Sequence, residues 1–261
     1  MLAFRLIRFA FLNIFRDFGQ TIRIFLLPSL IFASTLVMLT PYLGSYAHPV
    51  GSKLAAIALF GISFGCLFWM AVNFHRMILL EETFAWIPRC HVREVLAYAV
   101  YSIPILIIFA VISFATILVI GQVLFKALIA TNDITTAVIS YYILSMVIHL
   151  LTATIGLRLF ARLPALAIGT PVQSVFAAHK RSWLTLLEIA LILMVAEFVY
   201  TFLATEIIGR FMTPLEPDTV LTSWPLLPFV FIFTIGLSSV AFGISLVTTL
   251  YGHYAKGMPL R

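Results

Sequence analysis

Six long apolar runs leave this chain few choices of fold. They cover Ile24 to Leu43, Leu54 to Val72, Val95 to Ile120, Ala137 to Phe160, Trp183 to Ala204 and Leu227 to Tyr251. At about 1.5 Å of rise per residue, each is long enough as a helix to cross about 30 Å of hydrocarbon. Lipid offers no water to backbone amides, so a spanning segment must bond them internally, as a helix does. A β-barrel would need short segments of alternating polarity. Composition points the same way. Hydrophobic residues make up 62% of the chain and charged residues 10%, where soluble domains carry about a quarter charged. The mean hydropathy is +1.12. The expected fold is all-α: a polytopic membrane protein with six transmembrane helices, arranged as three hairpins with amphipathic cytoplasmic surface helices.

The basic residues set the expected orientation. Six crossings put both termini on one side, with loops two and four. That side holds Arg5, Arg8, Arg16, Arg23, Arg76, Arg89, Arg93, Arg158, Arg162, Lys180, Arg181, Lys256 and Arg261. The other side holds Lys53, Lys126 and Arg210. Lysine and arginine stay on the cytoplasmic side, so both termini are expected there. The net charge of +6 is spread over short loops. It suits anionic headgroups rather than nucleic acid. The apolar run before "GSYA", ending at Ala47, is too long for a signal-peptide core and is expected to be a membrane anchor.

Residues 1–20 form a separate unit ahead of the transmembrane domain, 21–261. On a helix, Phe4, Ile7, Phe11, Ile14, Phe15 and Phe18 fall on one face. Arg5, Arg8 and Arg16 fall on another. The pattern predicts a helix lying in the headgroup layer, with its arginines toward phosphate. A short surface helix is also expected between Thr170 and Ser182, where Thr170 and Pro171 suit a helix start. A similar one is expected in "TFAWIPRCHVREV", broken at Pro88. The chain then reads as three units, each a basic surface helix followed by a hairpin.

Ionisable residues inside apolar runs are costly and mark candidate sites. His149 and Glu197 lie deep in the fourth and fifth runs, within about 4.5 Å of helix rise of one another. Ser145, His149, Thr152 and Gly156 share one stripe, as do Glu197 and Thr201. The pair is either a proton or ion relay or a buried hydrogen bond that fixes helix register. A second polar group gathers at the inner rim around "HRMILLEE". His75, Arg76, Glu82, Arg158 and Glu188 can cluster there, with His75 and Glu82 seven apart on one helical face. Gly61 with Gly65, and Gly236, Ser239 and Gly243, form small-residue stripes that permit close helix packing or dimerisation.

Several chemistries lack their motifs. There is no P-loop, Rossmann fingerprint or HExxH. Cys66 and Cys90 have no metal-ligand or disulfide spacing. No metal or cofactor is expected, and no nucleophile has a dedicated base.

Three patches carry a family resemblance. "HRMILLEE", "RLFARLPALAIG…FAAHKRSW" and "LYGHYAKG" resemble segments of uncharacterised bacterial six-helix inner-membrane proteins. The layout is also distantly similar to the membrane domain found ahead of some glycerophosphodiester phosphodiesterases. The resemblance implies six helices and residence in a bacterial inner membrane, and it supplies no reaction. The expected role is non-enzymatic: a scaffold, lipid-interacting or accessory membrane protein. Its partners would be anionic lipid headgroups and a protein partner or second copy. A small solute or proton-coupled transporter using His149 and Glu197 is the alternative.

Overall fold

The computed structural model describes residues 2–43, 50–131, 134–171, 182–211 and 226–260. Eight helices fill them: α1 (Leu2–Arg16), α2 (Phe18–Leu43), α3 (Val50–Leu80), α4 (Val92–Thr131), α5 (Ile134–Phe160), α6 (Leu163–Ala167), α7 (Ser182–Phe211) and α8 (Leu226–Lys256). Six stretches are long and apolar enough to cross a membrane among the described residues. They are Phe18–Leu39, Lys53–Leu80, Val92–Val119, Ile143–Ala167, Ser182–Leu203 and Phe233–Lys256. The chain is a polytopic all-α membrane protein. Pro104 sits inside α4 without ending it.

The hairpins are not equally intimate. α2 lies along α3 and α4 along α5, whereas α7 seats mainly on α5 and α8 mainly on α1 and α3. The dense packing gathers at one end, where the termini, the 81–91 segment and α6 meet. There Leu6 and Ala10 of α1 meet Leu186 and Ile189 of α7 and Leu246 and Leu250 of α8. Ile24 and Phe25 of α2 pack on Met70 and Phe74 of α3. Leu163 and Ala167 of α6 close over Phe68, Val72 and Tyr98. Away from this end, large apolar side chains such as Val37, Ile57, Val111, Phe114 and Phe198 are exposed. That is the surface a bilayer would cover.

α1 has two apolar sides. Ala3, Leu6, Ala10 and Asn13, spaced three, four and three apart, are buried against the bundle. Phe4, Phe11 and Phe15, with Phe18 at the start of α2, are 63%, 53%, 51% and 54% exposed. The stripe expected from sequence is therefore divided. The phenylalanines face outward, while Ile7 and Ile14 lean on the core. The small residues explain this, because two alanines let α1 approach α8 closely. The Ser245 hydroxyl then reaches the Ala10 carbonyl at 2.6 Å. Asp17 ends α1 and caps α2, its carboxylate accepting from the Gln20 amide at 3.1 Å.

Two expectations are corrected. No helix forms over residues 81–91, which run as an irregular strap. Phe84 is drawn into the core. Its amide donates to Gln20 Oε1 (2.8 Å) and its carbonyl accepts from Arg23 Nη1 (3.3 Å). With both backbone groups held by α2 side chains, this stretch does not coil. The glycine stripes do not mediate close packing within the chain either. A Cβ at Gly61, Gly65, Gly236 or Gly243 would meet no heavy atom within 4 Å. The surface helix expected between Thr170 and Ser182 lies outside the described residues. α8 stops at Gly257, whose φ of +66° suits a residue without Cβ. The Met258 amide then bonds back to the Gly252 carbonyl at 2.9 Å and closes the helix end.

Ala10→Phe should force α1 off α8 and lower thermal stability in detergent by an amount typical of overpacking, about 1–3 kcal/mol. Phe11→Ala, one residue on but facing outward, should leave the melting temperature nearly unchanged in the same assay.

Candidate functional site

Two polar regions stand out in the fold, and they differ in how well their groups are bonded. The first is a cavity of about 440 Å³ between α4, α5 and α7. It is lined by Ser145, His149, Thr152 and Gly156 of α5 and by Glu197 of α7. The stripe expected on the fourth run is thus the cavity wall. Gly156 supplies part of the shape: a Cβ there would stand 3.4 Å from the Phe109 ring, which covers it. His149 and Glu197 lie at matching heights. Each is six residues from the far limit of its apolar span, Ile143 or Leu203, about 9 Å of rise. No hydrogen bond or ion pair joins them among the described residues. They share a space without forming a bonded pair. Thr201 is exposed beyond the cavity.

The second region is a buried polar seam at the packed end. His75 is fully buried. Its Nδ1 lies 2.7 Å from Thr248 Oγ1, and its Nε2 lies 3.2 Å from the Tyr98 hydroxyl. The Thr248 hydroxyl donates to the Ile244 carbonyl at 2.7 Å. It must therefore accept from Nδ1–H, which leaves Nε2 to accept from Tyr98. The imidazole is neutral and both nitrogens are satisfied. One residue along α8, Thr249 Oγ1 accepts from Asn13 Nδ2 at 3.2 Å. Ser245, Thr248 and Thr249 thereby tie α1 and α3 to α8.

Within the inner-rim group, a bonded pair joins Arg76 and Glu82. α3 ends at Leu80, and Glu81 takes φ +56°, a left-handed helix-ending conformation. The chain reverses there, so Glu82 leaves the helical face of His75 and folds back on Arg76. Arg76 Nε donates to Glu82 Oε2 at 2.9 Å, and Nη2 donates to Oε1. Arg76 Nη1 donates to the Ala167 carbonyl at 3.0 Å, at the end of α6. His91 Nε2 lies 3.8 Å from Glu82. The hydrogen bonds from Arg76 hold the Glu82 carboxyl below the usual carboxylate range. Arg158 lies across the Trp183 ring, 4.6 Å from its centre. Glu188 is exposed on α7, beside Tyr254. Arg5, Arg8 and Arg16 are exposed on α1.

Tyr98, Thr248, Thr249 and Asn13 were missed as polar partners of His75 and α8. The signal was faint: a Thr-Thr pair in an apolar run and an asparagine in register with two alanines. Gly61, Ile62, Ser63, Phe64 and Gly65 spell G-x-S-x-G, the string of a hydrolase nucleophile elbow. An elbow needs a strand-to-helix turn. Ser63 instead lies within α3, donating to the Leu59 carbonyl (2.9 Å) and meeting Thr35 of α2 (2.7 Å). It joins α2 to α3.

Compared with family models, curated proteins and solved structures, the chain matches none.

His75→Leu should strand the buried Tyr98 hydroxyl, at a cost of about 1–3 kcal/mol, and lower the melting temperature in detergent. Adding Tyr98→Phe should recover part of the loss, since no polar group is then left unpaired. The Glu82 carboxyl stands below its unfolded value, so its contribution is complete above pH of about 4.3. It is lost as pH falls through the depressed value. Melting temperatures measured from pH 7 to pH 3 should fall more steeply for the natural protein than for Glu82→Gln.

Proposed function

We propose that this integral membrane protein is a non-enzymatic, lipid-interacting or accessory component of a bacterial inner membrane, with both termini in the cytoplasm. The observation that carries the reading is the divided surface of α1. Its small residues dock on α8, its phenylalanines face outward, and Arg5, Arg8 and Arg16 are exposed beside them. Phe11 packs near Phe15 at 4.9 Å and Phe15 near Phe18 at 5.9 Å. Together they form an aromatic strip that suits acyl chains just below the headgroups. The bundle holds α1 in position, so its arginines are presented to one leaflet without an ordering cost. Exposed Arg89 and Arg93 stand at the same end. Cations concentrated at one end support a cytoplasmic placement.

The tied-up state of the polar side chains supports a role without chemistry. His75 is satisfied on both nitrogens, Ser63 bonds two helices, and Arg76 and Glu82 hold the strap to α6. A second reading, transport of a small solute or a proton, is favoured by one observation: His149 and Glu197 line the same cavity. In that case Glu197→Gln abolishes pH-dependent flux in proteoliposomes.

The lipid-interacting reading is tested in nanodiscs. Phosphatidylglycerol should raise the melting temperature over phosphatidylcholine, and added salt should erode the gain. Replacing Arg5, Arg8 and Arg16 with glutamine should remove most of this difference and leave stability in phosphatidylcholine unchanged. Equal responses of the natural and substituted proteins would count against the proposal. A reporter fused after Arg261 should be active only in the cytosol.

A further inference from the structure

The geometry points to the α4–α5–α7 cavity as a binding site for a protonated primary amine carried on an apolar chain. This deepens the lipid-interacting reading and rests on it only in taking the occupant from the membrane. Glu197 is the central group. It lies inside the apolar span of α7, exposed with His149 where the cavity opens toward the lipid-facing surface, and no hydrogen bond or ion pair engages it among the described residues. A carboxylate at membrane depth is costly unless a cation or several donors meet it. At the packed end the Arg76–Glu82 pair shows a carboxylate met in this way. The occupant of the cavity is therefore expected to bring a positive charge and N–H donors.

The rest of the wall narrows the class. His149 has an imidazole nitrogen able to accept one N–H, and Ser145 offers a hydroxyl oxygen. An ammonium group has three donors, enough to serve a carboxylate and these two acceptors. A trimethylammonium group has none. An anionic headgroup would face the Glu197 charge. A bare metal ion finds too few ligands, since no group of three His, Cys, Asp or Glu side chains gathers among the described residues. Phe109 and Leu193 give the remaining wall apolar faces, with the hydroxyls of Ser113, Thr116 and Thr152 set among them. Ile112 and Ile117, at the margin, are exposed on the surface that lipid would cover. An alkyl chain could thus enter sideways. The volume of about 440 Å³ lies within the usual range for small-molecule sites. Such an amine could be free or could be the headgroup of an aminophospholipid.

The test uses the full-length protein in phosphatidylcholine nanodiscs, with dodecylamine as the probe. Dodecylamine should bind saturably and at least tenfold more tightly than dodecanol or dodecyltrimethylammonium. Glu197→Gln should reduce its affinity to the level of dodecanol. Ser145→Phe, which fills the cavity from its wall, should weaken it similarly, and both variants should keep the melting temperature of the natural protein without amine. If Glu197→Gln does not fold, Ser145→Phe decides. Phosphatidylethanolamine added to the nanodiscs identifies the source. Competition with dodecylamine assigns the site to a lipid headgroup, and lack of competition assigns it to a free amphiphilic amine. Equal binding of dodecanol or of the trimethyl analogue, or dodecylamine affinity unchanged in the variants, overturns the assignment. The triple glutamine variant of α1 separates the two readings: it should lose the phosphatidylglycerol response and keep dodecylamine binding.

Discussion

The packed end depends on one imidazole. His75 accepts from Tyr98 of α4 and donates to Thr248 of α8, so three helices meet at a single buried ring. Apolar packing in a bilayer discriminates weakly between helix partners, because lipid tails are as apolar as leucine side chains. A directional bond in a dry interior is different. It is made in one register and is lost if α8 slides by a residue. Asn13 to Thr249, and Ser245 to the Ala10 carbonyl, repeat the device one turn away and fix α1. The three polar residues of α8 choose its neighbours, and the surrounding leucines fill the space.

Position follows from that choice. With α8 held against α1 and α3, the strap over residues 81–91 must cross the open end of the α2–α3 pair. Phe84 plugs the core there, and Gln20 and Arg23 seize its backbone. Arg76 completes the closure by joining Glu82 on the strap to Ala167 on α6. Its charge therefore serves the chain's own tertiary structure more than a ligand. The exposed arginines of α1 have no such bonds among the described residues, which is why the leaflet contact is assigned to them.

The six crossings were legible in the sequence because a bilayer demands about twenty apolar residues in a row, and little else satisfies it. The shared depth of His149 and Glu197 was legible too, since helix rise is constant. The parting of His75 from Glu82 was not. Their expected shared face assumed that α3 continued through Glu82, whereas the helix stops at Leu80 and Glu81 adopts a left-handed conformation that no glycine announces. The strap was misjudged for a related reason: local pattern favoured a helix, and the plug formed by Phe84 overrode it. Gly61 and Gly65 warn against spacing alone. The same five residues read equally as a helix-packing motif and as a nucleophile elbow, and the structure uses them as neither.

Polar groups at membrane depth in this protein fall into two kinds, and the difference carries functional weight. His75, Ser63 and Thr248 each find hydrogen-bond partners on a neighbouring helix, and Ser63 and Thr248 also donate to a carbonyl of their own helix. Their cost is offset by the fold, so structure alone accounts for their presence. His149 and Glu197 share a cavity without bonding one another, although their positions on facing helices would have made a direct bond the simplest way to reduce that cost. A fold that bonds His75, Ser63 and Thr248 in this way, yet holds these two apart around a space of ligand size, leaves a site suited to a partner from outside the chain. The separation, together with the Glu197 carboxylate, is what the amine assignment rests on.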